Sequence, residues 1–249
     1  MADIFEEVEE QLRSERYRAL AMKILPWAAG VFGAAVVLSI GLWTFDHYRT
    51  EANNKASEQY SQGLEALQAG QVPQATQIFS DVSKSSSRGY KALALQQLGG
   101  IKLVTGETAQ AVKLFDEAAA AAPDDIIGDA ARLKSAFALL DTAPLKDMEA
   151  RLTPMLKEGR PYRTQAREAL AFAKLLAGDT KGARDDYILV SLLPDAEQSA
   201  RERAGAAKAL IDSGSAKAVP SAVKAALAMP VPPTIPGLSA PPLQVPSAP

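Results

Sequence analysis

The chain has 249 residues, with 27 basic and 29 acidic side chains, one histidine, no cysteine and a net charge of −2. That balance leaves no basic footprint for nucleic acid. Without cysteine there can be no disulfide, thiolate metal site, cysteine nucleophile or N-terminal lipid-modified cysteine, and a lone His47 rules out histidine pairs and triads.

Residues 1–23 read as a cytoplasmic amphipathic segment. Ile4, Val8 and Leu12 recur every four residues and share a face, and acids (Asp3, Glu6, Glu7, Glu9, Glu10) precede Arg13, Arg16 and Arg18, which suits a helix dipole. Residues 24–45 follow as an uncharged apolar run, Ile24–Phe45, bracketed by Lys23 and Asp46. A helix of that length reaches about 33 Å at about 1.5 Å per residue, against a hydrocarbon core of about 30 Å. Trp27 and Trp43 lie near its ends, where indole rings favour the headgroup layer. This predicts one transmembrane helix, in contact with lipid. Arg13, Arg16, Arg18 and Lys23 precede it and only Arg49 and Lys55 follow within 20 residues, so the N-terminus is expected inside and the rest outside. A cleaved signal would carry a shorter apolar region and a small-residue cleavage site, so the anchor is expected to stay. Residues 46–55 are taken as a juxtamembrane linker.

Residues 56–212 carry a repeat of 36 residues. Gly70, Gly106 and Gly178 mark it. Each is followed at a fixed distance by an alanine (Ala75, Ala111, Ala183) and then by an aromatic residue (Phe79, Phe115, Tyr187). Each is preceded by a small residue, Gly63, Gly99 or Ala171. These columns fit antiparallel helix pairs. The small residue admits close approach, the glycine ends the first helix, and the alanine and aromatic fill the space between helices. One unit is degenerate. Ser135 supplies its small residue, Thr142-Ala143-Pro144 replaces its turn, and Met148 and Leu152 fall one place late, as in a one-residue slip. Arg151 stands at its aromatic place and is expected to matter little. No alternating strand pattern appears, so the fold class is all-α.

The unit Leu93–Pro123 places Leu95, Leu98, Gly99, Gly106, Ala111, Phe115, Ala118 and Pro123 in the signature columns of the tetratricopeptide repeat. An α-solenoid of about four helix pairs follows from that resemblance. A single N-terminal span before divergent repeats also resembles the bacterial ancillary SecYEG translocon subunit family (YfgM-like). That resemblance implies a bacterial inner-membrane protein with a periplasmic repeat domain, working beside the SecYEG channel and periplasmic chaperones. A periplasmic scaffold for cell-envelope or division-site assembly is the alternative function.

Tyr60, Gln96, Arg132 and Glu168 lie at strict 36-residue intervals on the first helix of each pair, where tetratricopeptide repeats line a concave groove. They are the candidate partner-binding stripe. Asp124-Asp125 reads as a helix cap, and Asp185-Asp186 as neighbours on a helix that do not converge on one site. No enzyme, cofactor or metal site is expected. Residues 213–249 form a tail, with one short helix expected around 221–228. From 230 onward it holds eight prolines and no charge, and is expected to be disordered and to favour extended PPII segments.

Overall fold

The computed structural model describes residues 3–229, and within α1 the side chains of 3–26, 28–31, 33, 34 and 45 lie outside the described residues. Among the described residues every regular element is helical, in the order α1 (Asp3–Gln68), α2 (Val72–Val82), α3 (Arg88–Val104), α4 (Thr108–Ala121), α5 (Asp125–Leu139), α6 (Leu145–Leu152), α7 (Arg163–Leu176), α8 (Thr180–Leu192), α9 (Gln198–Asp212) and α10 (Val219–Leu227). Two compact units divide the chain, Met1–Leu95 and Gln96–Pro249, with the division falling inside α3.

In the first unit α1 runs unbroken through residues 46–55, the stretch expected as a linker. No proline and no glycine stands between Phe45 and Gly63, and a helix already nucleated propagates at little cost. Among the described residues no helix is long and apolar enough to cross a membrane. Ten side chains of the run Ile24–Phe45 lie outside them, as does all of the expected amphipathic face of 1–23. α1 stops at Gly70, which adopts φ 75°, while the Gln71 amide donates to Ala66 O at 2.8 Å and the Gly70 amide to Leu67 O at 3.0 Å. These bonds satisfy carbonyls the helix end would orphan. Pro73 sits in the first turn of α2, where its missing N–H costs nothing. Ala75, Phe79 and Val82 then face inward, fully buried. A Cβ at Gly63 would lie 2.7 Å from Phe79 Cε1, so α1 and α2 meet where only glycine fits.

The second unit repeats this arrangement. Gly106 (φ 81°) ends α3 and Gly178 (φ 84°) ends α7, each with the same pair of closing amide bonds. Asp124 caps α5 by accepting from the Ile127 amide at 3.0 Å, and Asp179 caps α8 by accepting from Gly182 at 2.9 Å. α4 packs on α5, α7 on α8, and α8 on α9. One core cluster joins Leu133, Ala136, Met148, Leu152, Met155 and Leu170. A second joins Ala171, Leu175, Ala183, Tyr187, Val190 and Ala204.

The degenerate third pair, α5 and α6, departs from a uniform slip. Met148 and Leu152 are fully buried, so the apolar columns do shift by one place. Arg151 does not shift. It follows Ser135 by sixteen residues, as Phe79 follows Gly63, Phe115 follows Gly99 and Tyr187 follows Ala171. Its Nη1 donates to Ser135 Oγ at 2.8 Å and to Asp116 Oδ1 at 2.7 Å, while Ser135 Oγ donates to the same Asp116 oxygen at 2.7 Å. A guanidinium and a hydroxyl therefore replace the ring-over-glycine contact of the first two pairs. The expectation that Arg151 matters little did not foresee these bonds, which link it to two other helices.

Candidate functional site

The four residues of the predicted stripe are each engaged by a neighbouring side chain or carbonyl. In the first unit Tyr60 packs against Phe79 at a ring separation of 5.5 Å and against Tyr90 at 5.9 Å. The Tyr90 hydroxyl bonds Ser57 Oγ at 2.7 Å, which pins Tyr90 to α1. In the second unit Gln96 is buried and its amide donates to Ile127 O at 3.4 Å. Arg132 donates to Asp129 Oδ1 at 2.8 Å. Asp129 is wholly buried and is also held by Arg160, whose Nε lies 2.7 Å from Oδ2. Of the expected partner-binding stripe, Gln96 is buried and Tyr60, Arg132 and Glu168 are half-buried, each with a partner inside the chain. Packing on other helices engages Tyr60 and buries Gln96, while Arg132, 39% exposed, pairs with Asp129 on its own helix, details that strict periodicity cannot reveal.

Glu168 differs, because it borders an open groove. α5, α7, α8 and α9 enclose about 420 Å³. Phe137 and Leu140 come from the end of α5, Phe172 and Ala169 from α7, Tyr187 from α8 and Ala207 from α9. Phe137 is 50% exposed although it is a large apolar side chain. The polar members are Gln165, Glu168 and Arg203. Arg203 grips Glu168 with two bonds, Nε to Oε1 at 3.1 Å and Nη2 to Oε2 at 2.8 Å. The hydrogen bond to Glu168, and then its charge, raise the Arg203 guanidinium above its ordinary value. Tyr187 lines the same groove and belongs to the second core cluster. Burial first, and the Glu168 charge second, push its phenol up to about 12. The groove therefore has an aromatic and aliphatic floor, and its two charges neutralise each other at one edge.

The repeat-packing residues are placed as follows. Gly63 and Gly99 each lie against the ring of the next helix, Phe79 and Phe115. Gly70, Gly106 and Gly178 hold positive φ at helix ends. Ala75, Ala111 and Ala183 are fully buried, and Tyr187 is nearly so. Phe137, Phe172 and Arg203 were missed from sequence. Phe172 follows Phe137, and Arg203 follows Glu168, by 35 residues rather than 36, so the strict columns passed between them. Two aromatics near the same helix position were the available signal.

The acidic pair Asp185-Asp186 is structural at Asp186. That carboxylate is buried and receives Arg167 Nη1 at 2.8 Å and Lys174 Nζ at 2.6 Å. Among the described residues no group of three or more His, Cys, Asp or Glu could hold a metal ion.

An all-α chain of glycine-closed helix pairs, with an apolar groove bordered by paired charges, defines the class of helical-repeat protein-interaction scaffolds. The match to the tetratricopeptide repeat-like domain over residues 26–203 places the chain in that family. It belongs to the tetratricopeptide repeat-like domain family, whose repeats typically serve as non-catalytic scaffolds that bind other proteins. The chain has no match among curated proteins or among solved structures.

Proposed function

We propose that this chain is a membrane-anchored, non-enzymatic scaffold ancillary to the SecYEG protein-export channel. Its repeat domain would bind periplasmic chaperones or exported clients through the groove of α5, α7, α8 and α9. The observation that carries the binding role is the half-open aromatic floor formed by Phe137, Phe172 and Tyr187. Such a concave apolar surface with few polar groups is what a protein segment needs for burial. The apolar run Ile24–Phe45 and the basic residues before it support a single inner-membrane anchor with the N-terminus in the cytoplasm and the repeats in the periplasm. The channel as partner rests on the resemblance of this architecture to ancillary translocon subunits. Holding an anchor and a groove on one chain raises the effective concentration of each for its partner, so either contact can be weak.

The test is cross-linking of the full-length protein in intact membranes, with parent and Phe172→Asp compared. The parent is expected to capture channel subunits and periplasmic chaperones. Phe172→Asp is expected to lose the soluble partners and keep the channel. Recovery of cell-wall or division proteins alone would replace this reading with a scaffold for envelope assembly. A reporter active only outside the cytoplasm, fused after Met229, is expected to be active; an inactive fusion would reverse the topology.

A further inference from the structure

The groove is apolar and carries no unpaired charge, and one segment of the same chain shares that chemistry. Residues 230–249 contain eight prolines and no Asp, Glu, Lys or Arg. In a PPII segment three residues complete a turn, so positions three apart share an edge. One edge then carries Pro230, Pro233 and Pro236, and a second carries Pro232, Ile235, Leu238 and Pro241. Two adjacent apolar edges on a stiff segment are what aromatic-lined grooves recognise, because little conformational entropy remains to be lost on docking. Phe137, Phe172 and Tyr187 supply such a lining. Arg203, 59% exposed, offers donors at the edge, and a proline-rich backbone is rich in acceptors and poor in donors.

The tail is rooted within reach. α10 packs against α7, which contributes Gln165, Glu168, Ala169 and Phe172 to the groove. Twenty residues follow Met229, and at about 3.1 Å per residue they extend about 60 Å. α7, with 14 residues, is about 21 Å long at about 1.5 Å per residue. The tether therefore spans the groove with residues to spare, and holds the tail at a local concentration on the millimolar scale.

We propose that the chain's own segment 230–249 docks in the α5–α7–α8–α9 groove and competes there with partner proteins. The inference rests on the reading of that groove as a protein-binding surface. A partner must displace the tail, so occupancy depends on partner concentration and the empty groove is shielded from unrelated apolar segments.

Because the chain has no cysteine, a pair can be introduced cleanly. In the full-length protein in mild detergent, Ala207→Cys with Leu238→Cys is expected to form an intramolecular disulfide. The comparison pair is Lys113→Cys with Leu238→Cys, Lys113 being a well-exposed position on α4. The groove pair is expected to close about ten-fold faster, as a docked tether raises local concentration. Excess synthetic peptide of sequence 230–249 is expected to slow it, as is Pro233→Ala with Pro236→Ala in the tail. Equal rates for the two pairs, or a disulfide that forms only between two copies, would overturn the proposal. Phe172→Asp separates the two readings. If the tail does not cross-link but this variant still loses soluble partners, tail docking fails and the partner site stands. If the tail cross-links and partner capture is unchanged by the variant, the tail inference stands and the partner reading fails.

Discussion

Gly99 and Phe115 make a prediction whose sign depends on background. A methyl group at Gly99 would stand 2.6 Å from Phe115 Cε1, 2.8 Å from Cδ1 and 3.0 Å from Cζ. Carbon atoms prefer about 3.5–4.0 Å, so the overlap is on the order of 1 Å. Phe115 is 2% exposed and has little room to retreat. Overpacking of that kind costs about 1–3 kcal/mol. The same substitution in an unobstructed helix interior would gain about 1 kcal/mol in propensity. Gly99→Ala should therefore be neutral to destabilising by about 2 kcal/mol, the difference of those two effects. Phe115→Ala alone leaves a void and should cost about 3–5 kcal/mol. With the ring gone the clash disappears, and Gly99→Ala added to Phe115→Ala should stabilise by about 1 kcal/mol. Urea unfolding of the full chain, followed by circular dichroism for parent, both singles and the double, reads all four corners of the cycle. If Gly99→Ala stabilises the parent, or if the two effects simply add, the ring-over-glycine register is wrong.

Three further outcomes are expected. Arg151→Ala leaves the buried Ser135 hydroxyl and Asp116 without their shared donor and should cost about 1–2 kcal/mol by the same unfolding assay, since a charged partner in a half-exposed network is lost; no change would return Arg151 to a surface role. Asp186→Ala removes the only carboxylate shown bonding both Arg167 and Lys174, each less than 20% exposed, and should cost about 3–5 kcal/mol, whereas the same change at the neighbouring Asp185 should cost far less. Tyr187 ionises at about 12 against an ordinary 10.0, so its contribution to stability is whole below about pH 10 and drains away as pH rises toward 12. Spectrophotometric titration of the phenols should lose a late-titrating group in Tyr187→Phe, and removing the nearby charge with Glu168→Gln should move that group to lower pH.

Much of the repeat was legible because its demands are local. A positive φ calls for glycine, so Gly70, Gly106 and Gly178 announced the helix ends by themselves. A close helix crossing calls for a small residue opposite a large one, so Gly63 and Gly99 announced their rings. The period joined these signals into helix pairs, and absent cysteine and lone histidine removed several chemistries before any fold was considered. The tertiary structure decided what depends on partners distant in sequence. Arg151 reads as a surface residue until Ser135 and Asp116 are placed beside it. Gln96 reads as a groove residue until Ile127 O covers it. The groove itself is assembled by four helices, with Phe137, Phe172 and Arg203 set one residue off the strict period. Backbone conformation and nearest-neighbour size are written residue by residue. Burial and pairing of side chains are properties of surfaces brought together only when the helices pack, and no column of the repeat records them.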